Sequence, residues 1–185
     1  KVEKRTVELR HEKEKVESAH KDIRDSINYA KKIQTAILPQ DSQFAELLPN
    51  SFVLFKPKDI VSGDFYWISE VNEKIYFVAA DCTGHGVPGA LVSVVCSNAL
   101  NRSVKEFGII EPGKILDKVR ELVIETFEKS ESEVNDGMDI SLCSFNPKTN
   151  ELKWAGANNP LWIVRKKEFI EFKPNKQSIG KIDSE

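Results

Sequence analysis

The chain has 185 residues, 40% of them hydrophobic and 30% charged, which suits one packed domain with an appendage and excludes wholesale disorder. A net charge of −2 gives no broad basic field for nucleic acid. No apolar run approaches a membrane span and no signal peptide precedes the first charges, so no direct membrane insertion is expected.

Residues 1–38 read as one long helix, free of Gly and Pro. Val2, Leu9, Val16, Ile23, Ala30 and Ile37 recur every seven residues, and Ala19, Ile27 and Ile33 add a second apolar row. A helix of this length spans roughly 55 Å, more than one small domain covers. The segment is therefore expected to be a parallel coiled-coil linker that joins two copies and carries a signal from upstream; a solvated single helix is the plainer alternative. Pro39 stops it, because its ring and missing N–H do not continue a helix. The rest, 39–185, is expected to be a single domain.

From Ser51 the period changes from helical to alternating. Ser51–Phe55, Phe65–Ile68 and Ile75–Ala79 read as strands, the last two joined by a turn at Asn72-Glu73-Lys74. Two helices follow, from about Pro88 to Lys105 and from about Glu111 to Ser130, the second with Ile115, Leu116, Val119, Leu122, Val123 and Phe127 on one face. Glu131-Ser132-Glu133 reads as an acidic loop. Ile140–Phe145 with Glu151–Ala155, and Leu161–Val164 with Glu168–Phe172, read as antiparallel hairpins. Strands, a helix pair and more strands predict an α+β architecture with helices packed on sheet.

The three cysteines, Cys82, Cys96 and Cys143, are odd in number and lack CxxC spacing. They read as reduced thiols in a cytoplasmic protein. The chain opens mid-pattern at Lys1-Val2-Glu3 without a methionine, which suggests a piece of a longer protein, such as the cytoplasmic part of a sensor.

Two glycine-flanked aspartates carry the chemistry. Asp64 in Ser62-Gly63-Asp64-Phe65-Tyr66 precedes a strand, and Asp81 in Ala80-Asp81-Cys82-Thr83-Gly84-His85-Gly86 follows one. If the two strands pair, the carboxylates converge at one sheet edge, where a hard divalent cation such as Mg²⁺ or Mn²⁺ takes oxygen ligands. An Asx turn explains Asp64 equally well, and a loop or cap aspartate is the alternative for Asp81. Cys82 is expected to offer its backbone carbonyl rather than sulfur, Thr83 to hydrogen-bond the Asp81 carboxylate, and His85 to face solvent or act as acid or base. Asp136 and Asp139 form a second acidic cluster, either a polar turn or one carboxylate near the metal edge. Asn158, in Ala155-Gly156-Ala157-Asn158-Asn159-Pro160, is a turn residue or a tuner of the site.

The ordered set Ala30-Lys31-Lys32-Ile33-Gln34-Thr35-Ala36-Ile37-Leu38-Pro39, Val61–Tyr66, Val78–Ala90 and Trp154–Leu161 resembles the bacterial stage II sporulation protein E-type Ser/Thr protein phosphatases, metal-dependent relatives of the type 2C enzymes. The resemblance covers roughly residues 30–185. It implies an αββα sandwich with a binuclear Mn²⁺ or Mg²⁺ site in which Asp64, Asp81 and the Cys82 carbonyl match ligand positions. It also implies hydrolysis of phosphoserine or phosphothreonine by metal-activated water, with no residue acting as nucleophile. The implied partners are an upstream sensor domain and a phosphoprotein substrate such as an anti-sigma-factor antagonist. Two departures stand out: this chain has Ala157-Asn158 where many members carry a histidine in an Ala-Gly-His-Asn-Pro turn, and the family's C-terminal ligand-bearing strands have no counterpart after Ile179-Gly180-Lys181. This 185-residue chain is therefore expected to be an inactive or weakly active fragment of a phosphatase; a non-catalytic coiled-coil signalling module is the alternative. Movement of the linker is expected to shift the helix after Gly86, and with it Asp81.

Overall fold

The computed structural model describes residues 2–128 and 136–180; the acidic loop expected at Glu131-Ser132-Glu133 lies outside them. Helix α1 spans Val2–Ile37. Every residue from Lys4 to Ser26 is exposed, whereas Ile27, Ala30, Gln34 and Ile37, at i, i+3, i+7 and i+10, turn inward. Pro39 forces the chain out of helix at Leu38, which packs against the main core. A short helix, α2 (Asp41–Leu47), follows. The sequence reading missed it, because seven residues hold too few turns to display a helical period.

Four antiparallel strands form the main sheet in the order β1 (Phe65–Val71), β2 (Lys74–Cys82), β3 (Met138–Asn146) and β4 (Glu151–Ala157). Asn72 and Glu73 both take positive φ, 53° and 59°, which closes the β1–β2 hairpin with the twist such a tight turn needs. Helices α3 (Gly86–Asn101) and α4 (Pro112–Glu128) cover one face; a π-helical turn at Arg102–Glu106 follows α3 directly. The alternation of each strand divides its residues between the faces. Phe65, Trp67, Tyr76, Val78, Ile140 and Leu142 enter the core beneath the helices, against Cys96, Leu100, Ile115, Val119 and Val123. The other face carries Tyr66, Phe77, Ala79, Ser141 and Cys143 and lines a cleft of about 810 Å³. A separate hairpin, β5 (Leu161–Arg165) with β6 (Glu168–Phe172), forms the second sheet.

One expected strand is absent. Ser51–Phe55 makes no ladder; Phe52 is 89% exposed and Leu54 74%. Its alternation fits a strand, but among the described residues no sheet edge pairs with it. Phe55 instead stacks edge-on against Tyr66, with ring centroids 5.4 Å apart.

Candidate active site

The sheet register brings the carboxylates together. Phe65 pairs with Ala80, so Asp64 lies one step beyond, beside Asp81, and Asp81 pairs directly with Asp139 on β3. Period-two alternation keeps these three aspartates on the face away from the helices. Asp64 and Asp81 close one end of the cleft on that face. Asp81, Thr83, His85, Asp139 and Ser178 also line an adjoining hollow of about 470 Å³.

Glycine makes the approach possible. A Cβ on Gly63 would lie 2.7 Å from the Gly84 carbonyl oxygen and 2.8 Å from that of Cys82. Two main-chain carbonyls therefore press against the residue preceding Asp64, and neither swings away as a side chain does. Gly84 itself holds φ at +83°, a conformation that L side chains rarely adopt.

Asp81 carries an uncompensated negative field. Burial first, then the hydrogen bond and charge of Asp64, then the charge of Asp139, all raise its pKa above the ordinary carboxylate value. No lysine or arginine opposes them among the groups acting on it. This donor set, two adjacent carboxylates with a third nearby and carbonyls alongside, fits a hard divalent cation. No group of three His, Cys, Asp or Glu side chains is close enough to hold an ion among the described residues. Mg²⁺-like ions meet that condition by retaining waters and using one or two carboxylates. The Cys82 sulfur is unsuited to ligation. The neighbouring Cys96 thiol and then burial drive its pKa far above the ordinary thiol value, so it stays protonated.

The remaining residues singled out in the sequence have separate places. Thr83 does not bond Asp81. Its hydroxyl donates to the Gly137 carbonyl at 3.0 Å and accepts from the Gly137 N–H at 2.9 Å, so it anchors the entry to β3. The hydroxyl satisfies both groups of one peptide residue at once, which an interaction with Asp81 would not. His85 precedes α3 in the N-cap position and is exposed, with Nδ1 3.4 Å from Asp59 Oδ2. Asp136 sits half-buried just before β3, its carbonyl facing Gly180. Asn158, at φ 56°, donates from Nδ2 to Asp139 Oδ1 at 2.9 Å and to Ser178 Oγ at 3.0 Å. Ser178 donates to the same Asp139 oxygen at 2.6 Å. Of the second acidic cluster, Asp139 thus joins the aspartate edge.

Two participants escaped sequence reasoning. Ser178 lies in an unpatterned segment and offers no local signal. Gln34 sits inside the quoted helix motif, and its signal was a polar residue at i+4 from Ala30 and i+7 from Ile27, on an otherwise apolar face. It is 5% exposed and bonds Ser62 and Ser93.

Comparison with known proteins places this geometry. The profile of the stage II sporulation protein E (SpoIIE) family matches residues 72–181, more than half of the chain. The SiaA-PP2C domain of Pseudomonas aeruginosa is 34% identical with a TM-score of 0.77, over 88% of this chain and 64% of that one. The PP2C phosphatase domain of SpoIIE from Bacillus subtilis, solved with a fragment of its regulatory domain, shares the fold at 18% identity and a TM-score of 0.51. That match covers 66% of this chain and 35% of the Bacillus one. The RsbU and RsbW domains of a Mycobacterium tuberculosis protein give 16% identity and a TM-score of 0.50, over 65% of this chain and 32% of that one. No curated protein sequence matches. The chain thus spans less than two thirds of the length of these solved relatives. Its fold is that of a partial PP2C-like phosphatase domain, and the chain belongs to the stage II sporulation protein E family.

Proposed function

We propose that this protein is the catalytic part of a metal-dependent Ser/Thr protein phosphatase of a bacterial signalling pathway. The observation that carries the reading is the aspartate edge, where the strand register sets Asp64 beside Asp81 and pairs Asp81 with Asp139. Asp64, Asp81 and the Cys82 carbonyl would hold Mn²⁺ or Mg²⁺. When bound, such an ion supplies neutralisation of phosphoryl charge and acidification of water. Asp139, held by Asn158 and Ser178, adds negative charge next to Asp81 and fixes the β3 side of the site. The open cleft beside Asp64 and Asp81 gives a phosphoprotein loop room to reach this edge.

Regulation enters through residues 1–38, with 39–185 as an incomplete metal-dependent phosphatase domain. Leu9, Val16 and Ile23 are 52–70% exposed along α1, an apolar row that suits pairing with a second copy. Ile27 and Ala30 face the domain instead, so the exposed row is the better place to test dimerisation. The partners are an upstream sensor and a phosphoprotein such as an anti-sigma-factor antagonist, in the cytoplasm. Among the described residues no helix is long and apolar enough to cross a membrane.

A non-catalytic signalling module is the second reading. It is favoured by one observation: no trio of ligating side chains assembles among the described residues. Mn²⁺ titration by calorimetry separates the two. The phosphatase reading expects a binding isotherm for the wild type and none for Asp81→Ala; identical traces for both contradict it. The 185-residue chain is further expected to hydrolyse p-nitrophenyl phosphate only weakly with Mn²⁺. Turnover comparable to that of the SiaA phosphatase domain would overturn that expectation.

A further inference from the structure

We propose that Gln34 is a positioning residue that couples the linker helix to the metal edge by fixing the backbone at Asp64. The inference rests on the reading of Asp64 as a metal ligand. Gln34 is a buried polar side chain of α1, and both ends of its amide are hydrogen-bonded. Nε2 donates to the Ser62 carbonyl at 2.5 Å and to Ser93 Oγ at 2.9 Å, while Oε1 accepts from the Ser62 N–H at 3.0 Å. The paired bonds to Ser62 occupy both of its main-chain groups, as a neighbouring strand would. Ser62 Oγ in turn accepts from the Asp64 N–H at 3.0 Å. One side chain on α1 therefore controls the backbone two residues before the carboxylate, through three hydrogen bonds.

The same amide reaches the helix on the other side of the site. Ser93 lies on α3, fully buried, and its hydroxyl donates to the Ala90 carbonyl at 2.7 Å. α3 starts at Gly86, directly after the loop that carries Cys82 and Gly84, and the Gly84 carbonyl packs on both Gly63 and Gly89. Gln34 thus ties α1 to the two segments that meet at the metal edge. Displacement of α1 along or about its axis cannot leave Ser62 and Ser93 both bonded. Buried amides accept such a loss poorly, because each stranded group has no water to turn to.

The test compares MnCl₂ affinity by calorimetry, well below the melting temperature, for wild type, Gln34→Leu, Gln34→Glu and Asp81→Ala. It is combined with hydrogen exchange at the Gly63 and Asp64 amides without metal. Gln34→Glu preserves shape and the bond from the Ser62 N–H but sets an acceptor against the Ser62 carbonyl. Both Gln34 variants are expected to bind Mn²⁺ about 10-fold more weakly, as removal of a ligand's supporting partner does. They should also exchange faster at Asp64, and a purely structural role would lower only the melting temperature. Wild-type affinity and exchange in folded Gln34 variants, with binding lost in Asp81→Ala, overturns the Gln34 proposal and leaves the metal reading intact. Equal titration of wild type and Asp81→Ala overturns the metal reading, and with it the role of Gln34 in metal affinity. If the Gln34 variants do not fold, Ser93→Ala decides: weaker Mn²⁺ binding supports the coupling, and unchanged binding overturns it.

Discussion

The two ends of α1 follow one heptad pattern and have different surroundings. From Lys4 to Ser26 every residue of the helix is exposed, and its apolar row of Leu9, Val16 and Ile23 lies in the open. From Ile27 onward the inward face rests on the domain, and a polar residue, Gln34, is the most buried of them. An apolar repeat alone therefore does not say which surface it meets. The seam that suits a second copy at one end serves as an intramolecular dock at the other, and the dock is where hydrogen bonds supply direction.

The largest effect is expected where the segment before Asp64 meets main chain. Gly63→Ala drives a Cβ into two main-chain carbonyls and should destabilise the fold by about 3 kcal/mol, the upper range for overpacking. Thermal unfolding measures this. A loss under about 0.5 kcal/mol, typical of unconstrained surface sites, would show that the loop relaxes freely.

Gln34→Leu should cost less, about 2 kcal/mol, because it strands the buried groups of Ser62 without inserting extra volume. Urea unfolding reads it, and no change in midpoint would remove Gln34 from the dock.

Val16→Glu with Ile23→Glu, on the exposed end, should leave the unfolding free energy of the monomer within about 0.5 kcal/mol. The same pair should abolish self-association in sedimentation experiments. Association that survives both substitutions would place the contact between copies elsewhere.

How much of this was legible in the sequence follows the same division. Strands β1 to β6 and helices α3 and α4 announce themselves because alternation and helical period are local properties. The aspartates announce themselves because glycine beside a strand-end carboxylate is unusual. Ser51–Phe55 misled for the opposite reason: its alternation is real, but a strand also needs a partner edge, and that is not written in the segment. Thr83 was misassigned because its partner, Gly137, lies 54 residues away in sequence. Ser178 acts through tertiary contacts alone and carries no local signal, whereas Gln34 shows in the sequence only as a polar residue on an apolar helix face, with its partners Ser62 and Ser93 unmarked. The choice between Asp136 and Asp139 needed the β2–β3 register, which pairs Asp139 with Asp81.

The central claim is that a divalent cation belongs at the Asp64–Asp81 edge, at the docked end of α1. Addition of Mn²⁺ to ¹⁵N-labelled protein tests it directly, because the paramagnetic ion broadens amide signals close to it. Broadening is expected to centre on Gly63, Asp64, Asp81 to Gly84 and Asp139, with the amides of residues 9–23 unaffected. Broadening centred on any other group of residues, or none at Asp64 and Asp81, would contradict it.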